Sequence, residues 1–253
     1  TMMNYRSPGF GGGVWNSGTL TIDQCELASN RAVSAAGGGA IGGGSSRGEG
    51  GGLFNVSGAS ATLLNSTFSG NSAEGVQSSS GGGVYCGKGA QIRLCTIAHN
   101  ELLGDASTKK GGAIYSSETA VGDAPWLSTS IVANNIGASG GDGTDLFGKF
   151  LFSGYILIGA DGGYSYYASV GGNVVGQDPR LGSLCFNGGP TRTHALEAGS
   201  PALDIVPPSS LPTSITTDQR GQPRVWPADG MVDIGAYEYS YGLTSANHWT
   251  RYE

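Results

Sequence analysis

The chain has 253 residues, a formal net charge of −6 and only 13% charged residues, while glycine fills 47 positions. That much glycine excludes a helical bundle, since each one costs about 1 kcal/mol inside a helix, and the lack of a G-x-y period excludes collagen. With Lys and Arg totalling 13 and no basic stripe, nucleic acid and anionic lipid are poor partners, and no run of about 20 apolar residues offers a membrane span.

The opening stretch, "TMMNYRSPGFGGG", lacks the hydrophobic segment of a signal peptide. An export signal is therefore expected to have been removed or to lie outside these residues. Four segments then share one plan: glycines, an aliphatic, an aromatic, a turn, and an apolar alternation ending in asparagine. They read "GGGVWNSGTLTIDQCELASN" (11–30), "GGGLFNVSGASATLLNSTFSGN" (50–71), "GGGVYCGKGAQIRLCTIAHN" (81–100) and "GGAIYSSETAVGDAPWLSTSIVANN" (111–135).

Aligning the glycines gives an aliphatic column, Val14, Leu53, Val84 and Ile114, beside an aromatic column, Trp15, Phe54, Tyr85 and Tyr115. Aligning on Asn30, Asn71, Asn100 and Asn134 gives two more: Ile22, Leu63, Ile92 and Trp126, then Leu27, Phe68, Ile97 and Ile131. Pieces of three to five residues cannot bury an apolar face alone. Stacked coil on coil about 4.8 Å apart they can, with like side chains over like. The spacing predicts an all-β parallel β-helix, right-handed by the crossover rule. The columns form its core ladders, and the asparagines sit at coil corners, where left-handed backbone is tolerated and amides stack. Leucine-rich repeats and propeller blades need patterns that are not here.

Residues 1–175 are expected to be coils, the last forty less regular. A Pro-containing region, 176–253, is expected to cap the helix or pack along it. Cys25 and Cys95 fall in one column with Ser66 between them. Two coils, about 9.6 Å, is too far for a disulfide. A Cys86–Cys95 bridge within a coil and a Cys86–Cys185 bridge both stay open.

Chemistry is sparse. Glycan hydrolysis needs two carboxylates about 5–10 Å apart, whereas Asp23, Glu26 and Glu101 are scattered. Lyase chemistry wants a base beside an acidic cluster, and Arg93 and Lys88 have none nearby in sequence. "GGDGTDLF" (140–147) matches one copy of a calcium-binding nonapeptide, with Asp142 and Asp145 as ligands. Such sites form between successive copies, so a glycine turn with a capping aspartate is the simpler reading. No cofactor is implied. If the column Trp15, Phe54, Tyr85 and Tyr115 faces solvent, it is a candidate strip for stacking a surface glycan.

Two resemblances enter here. "GGAI" (111–114) and "FSGN" (68–71), with looser copies "LASN" (27–30) and "IAHN" (97–100), resemble the repeats of polymorphic outer-membrane proteins. The ordered run "DLFGKF" (145–150), "GGNVVGQDPRLGSLCFNGGPTRTHALEAGSPALDI" (171–205), "TDQRGQPRV" (217–225) and "VDIGAYEY" (232–239) is similar to the choice-of-anchor Q domain proteins. That resemblance implies a right-handed β-helix on a bacterial surface and no shared reaction. Members continue into a surface anchor, which is expected to have been cleaved, to lie outside these residues or never to have existed. The expectation is a secreted or surface-displayed structural or adhesive rod that is not an enzyme. Its open coil ends would stack copies head to tail.

Overall fold

The computed structural model describes residues 9–34, 47–137, 144–168, 171–225 and 230–239. Among them every element is a β-strand apart from 3₁₀ turns at Val121–Asp123 and Pro208–Ser210. The glycine-opened strands Val14–Asn16, Leu53–Asn55, Val84–Cys86 and Ile114–Ser116 stack in parallel, placing Val14, Leu53, Val84, Ile114 and then Leu146 in one line. One coil is thus 39, 31, 30 or 32 residues, the steps from 14 to 53, 84, 114 and 146.

A second stack holds Thr19–Asp23, Ser60–Leu64, Ala90–Arg93 and Trp126–Ser128. A third holds Glu26–Ala28, Thr67–Ser69, Thr96–Ala98, Ile131–Ala133, Leu157–Ile158 and Val174–Val175. Two three-strand stacks close the circuit. In the fifth coil the turn between the first two stacks is drawn straight, so that Leu146–Phe152 pairs with both of them. This is a parallel β-helix. Ile22, Leu27, Leu63, Phe68, Ile92 and Ile97 fill its interior with the aliphatic line.

The glycine triplets have a geometric cause. The first glycine of the three triplets and of the pair Gly111–Gly112, that is Gly11, Gly50, Gly81 and Gly111, has φ between 62° and 67°, which a side chain resists. At the second, a Cβ on Gly51 would stand 2.2 Å from Gly82 O, and one on Gly82 2.3 Å from Gly112 O. Backbones of successive coils touch there, and only glycine fits.

Asparagine forms the inner ladder. Asn71 Nδ2 donates to Asn100 Oδ1 at 2.9 Å, and Asn100 Nδ2 to Asn135 Oδ1 at 2.9 Å. The fourth member is Asn135, which corrects the placement of Asn134. Both fit the "VANN" spacing, but the residue preceding each ladder amide is left-handed, and Asn134 joins Ser29, Gly70 and His99 in that role with φ between 57° and 62°. The corner bend therefore belongs to the neighbour, and the asparagine itself points inward.

The slip of one residue carries through the fourth coil. Leu127, not Trp126, lies opposite Ile92, and Val132, not Ile131, lies opposite Ile97. Shifting a strand by one reverses its faces. Trp126 consequently turns to solvent, 46% exposed. Ile131 turns to the outer surface of the third stack, where it is buried by a second core.

That second core is made by the C-terminal segment. After the antiparallel pair Leu181–Cys185 and Thr193–Leu196, residues 200–225 and 230–239 run back along the third stack as a strap. Leu196, Ala202, Val206, Val232 and Ile234 cover Ile131, Ala133 and Leu157. Toward the first coils the contact turns polar: Thr67 to Gln219 at 2.6 Å, Gln24 Nε2 to Asp218 O at 3.0 Å, and Arg192 on Glu26. The region lies along the side of the helix.

Cys25, Ser66, Cys95 and Ser130 form one column, in which the N–H groups of Cys25 and Cys95 each donate to the neighbouring serine Oγ at 3.1 Å. All four cysteines are free thiols, so neither open bridge is made. Burial pushes the Cys86 and Cys95 thiols up to about 12.

Candidate functional site

The densest set of titratable groups lies where the strap meets the second and third coils. Asp218 accepts from Arg220 Nε at 2.8 Å and from the backbone N–H of Gln222 and Glu238, each at 3.0 Å. The Arg220 guanidinium lies 3.7 Å from the Tyr237 ring centre. Arg224 is 0% exposed and donates to Asn65 Oδ1 at 2.8 Å, while its Nε and Nη1 have no hydrogen-bond partner.

Glu238 stands 3.6 Å from Arg224 Nη1. Burial outweighs that attraction, and with Asp233 adjacent it pushes the Glu238 carboxyl up to about 9. Asp233, raised to about 6 by burial, accepts from the N–H groups of Asp204 and Tyr239 at 2.8 and 2.6 Å. At neutral pH two guanidiniums thus face two carboxylates, with Glu238 protonated. The set balances to zero, as a buried group of this kind must. It is a fastening.

The antiparallel pair that leads into the strap brings His194 Nε2 to 2.9 Å from Ser69 Oγ, with His194 Nδ1 2.7 Å from Gly182 O. The arrangement resembles a nucleophile and base held by an orienting acceptor. Both side chains are nonetheless buried, Ser69 at 4% and His194 at 2% exposure. Burial also pulls the His194 pKa down. The imidazole is neutral at pH 7 and pins the antiparallel pair to the second coil.

Of the aromatic column, Phe54, Tyr85 and Tyr115 form an external ladder that Phe10 and Phe147 extend, while Trp15, opposite Phe54 in register, joins no ring stack of the described residues. Ring centres lie 5.1 Å apart for Phe10 and Phe54, 4.5 Å for Phe54 and Tyr85, 5.0 Å for Tyr85 and Tyr115, and 5.7 Å for Tyr115 and Phe147. Rings leaning on one another spend the faces that a sugar would need. Trp15 is 56% exposed. Asp142 lies outside the described residues. Asp145 is buried, and its carboxylate accepts from Asn135 Nδ2 at 2.8 Å and from Ala160 N at 2.7 Å. It ends the asparagine ladder where the fifth coil supplies no amide. Among the described residues no three His, Cys, Asp or Glu side chains converge as a metal site.

One outward patch remains. On Trp126–Ser128 the side chains of Trp126 and Ser128 project to the same side, two positions apart. The coil below places Gln91 opposite Trp126 and Arg93 opposite Ser128. The coil above adds Leu151 opposite Trp126, and Ser153 N donates to Leu127 O at 3.0 Å. A cleft of about 180 Å³ opens where the strap crosses this edge, lined by Arg93, Ser128, Ser153, Tyr155, Ser210 and Pro212 among others.

No protein-family model, curated protein or solved structure matches the chain. Site assignment therefore rests on geometry. Trp126 and Ser128 escaped the sequence reading because the one-residue slip had put the tryptophan in the core. The signal was present in "PWLSTS", where tryptophan and serine alternate with leucine.

Proposed function

We propose that this chain is a non-catalytic structural or adhesive rod of the cell exterior. The observation that carries the reading is the strap, which fastens the first four coils through buried polar groups and a second apolar core. Asp218, Asp233 and Glu238 bond within the strap and hold its shape, while Arg224 ties it to Asn65 of the second coil. Stiffness along the axis is what such an investment supplies.

Pulling single molecules by the two ends tests this. A rod should hold and then yield in one large event, followed by smaller coil-by-coil steps; release at low force without a main event would count against it. Incubation with a panel of polysaccharides should release no reducing ends or unsaturated uronate. Any release that survives repurification overturns the non-catalytic reading.

Among the described residues, the first-coil strands Val14–Asn16, Thr19–Asp23, Glu26–Ala28 and Arg31–Val33 pair on one side only. Unpaired edges template further strands, which supports stacking of a second copy end to end. Sedimentation should show mass growing with concentration, and a constant monomer into the millimolar range would refute it.

A second reading, that the rod also holds a glycan, is favoured by the exposed Trp126, two residues along the strand from Ser128 in the wall of a cleft that also holds Arg93.

A further inference from the structure

We infer that the cleft beside Trp126 is a binding site for an acidic sugar residue of a polysaccharide, a proposal that rests on the glycan reading above. Four features of the patch converge on that chemistry.

Arg93 lines the cleft, and its guanidinium has no ion pair or hydrogen bond among the described residues. That sets it apart from Arg31, Arg192, Arg220 and Lys88, each paired with a carboxylate. A planar, permanently charged fork with free donors matches a carboxylate or a sulfate through two parallel hydrogen bonds. Ser128 and Ser210 line the same cleft from the fourth coil and the strap, and Ser153 of the fifth coil, whose hydroxyl donates to Leu127 O at 3.4 Å, adds an acceptor. Hydroxyls that donate and accept suit the hydroxyl-rich rim of a pyranose.

Trp126 supplies the third feature. It is among the few large apolar side chains left open, at 46% exposure, and belongs to no ring stack of the described residues. The electron-rich face of an indole attracts the weakly positive C–H groups on one side of a sugar ring. From Trp126 to Ser128 is about 6.6 Å along the strand, and from Ser128 to Arg93 about 4.8 Å across it. The platform and the cation are thus spaced for one residue resting on the indole with its acidic substituent reaching the guanidinium, or for adjacent residues of a chain.

Size is the fourth feature. At about 180 Å³ the cleft holds the acidic substituent and part of one ring, with Trp126 standing two residues outside its Ser128 wall, and a longer polymer has to run along the second stack. There Gln91, Thr62 and Thr21 continue the Trp126 column outward. The net charge of −6 gives no long-range attraction to an anionic polymer, so affinity has to come from these contacts and from several cleft–sugar pairs at once.

Calorimetric titration of the full chain with oligogalacturonate, a heparin-derived oligosaccharide and a neutral galacto-oligosaccharide tests the site. Arg93→Gln, Trp126→Ala and, as a control elsewhere on the surface, Trp15→Ala are compared, each checked for unchanged thermal unfolding. An acidic oligosaccharide should bind at least tenfold more tightly than the neutral one. Arg93→Gln should remove that preference, Trp126→Ala should weaken every sugar at least tenfold, and Trp15→Ala should change nothing. Preference for the sulfated probe over the carboxylated one would identify the anion and leave the site standing. Binding that survives both Arg93→Gln and Trp126→Ala overturns this site while the glycan reading stands. Binding lost in Trp126→Ala, with no acidic preference, overturns the assigned chemistry alone. No binding by any probe overturns both.

Discussion

Replacing Asn100 by alanine lowers the unfolding free energy by about 3–5 kcal/mol, from two or three buried polar groups stranded at about 1–3 kcal/mol each. Asn100 Oδ1 accepts from Asn71 N and Nδ2, and its own Nδ2 donates to Phe68 O, Ala98 O and Asn135 Oδ1. No water reaches the site, since Asn71 and Asn100 are both fully buried. Asn30, at the half-exposed end of the ladder, donates to Asn71 Oδ1 from its N and Nδ2. Water replaces much of that, and Asn30→Ala should cost about 1 kcal/mol, in line with a single net hydrogen bond. Urea denaturation followed by circular dichroism gives both values. Equal losses at the two positions would mean that the amides do not act as a ladder.

Removing Arg224 should be comparably severe. Arg224→Met leaves Asp218, Asp233 and Glu238 facing Arg220 alone, and breaking one side of a buried charge group costs about 3–5 kcal/mol. The damage should centre on the strap, so amide exchange should rise first over residues 200–239 while the first-stack strands stay protected. Uniform exchange over the whole chain would show that strap and coils unfold as one unit.

Glu238→Gln should behave in the opposite way. A carboxyl raised by burial to about 9, from its ordinary 4.5, holds a proton in the folded state that the unfolded chain has released. Its contribution is complete below pH 4.5 and is lost as pH rises toward 9. Asp233, raised to about 6, loses its own between pH 3.8 and 6. His194, lowered by burial, works the other way and weakens the fold as pH falls below 6.5. Above pH 7 only Glu238 of the three still titrates. Stability should therefore fall from pH 7 to 8 by up to about 1.4 kcal/mol per unit, the value of one proton, before the buried Cys86 and Cys95 thiols add their own loss near pH 9, and Glu238→Gln should flatten the slope in that window. A slope unchanged in the variant would place the titrating group elsewhere.

The repeat was legible because stacking imposes it. A coil can pair with the next only if like residues recur, so Val14, Leu53, Val84 and Ile114 announce their own line in the sequence. The glycine triplets were readable as turns, although their second member answers to backbone contact between coils and not to torsion. Asn134 and Asn135 mark where reading by spacing fails. Two adjacent asparagines satisfy one pattern equally, and only the amide that continues the hydrogen bonds from Asn100 settles which belongs. From that single residue followed the misplacement of Trp126 and Ile131, since a strand's faces alternate at every step.

By itself the sequence determined the parallel β-helix and, over the first three coils, its interior columns and asparagine ladder, because those depend on neighbours one period away and periodicity is written along the chain. Only the tertiary structure decided where residues 176–225 and 230–239 go and what gathers beneath and beside them. Arg224 meets Asn65, Thr67 meets Gln219, and Ser210 joins Arg93 across separations that no repeat encodes. Those contacts arise from one irregular segment laid along a regular surface, where burial and charge balance choose the partners and spacing has no say.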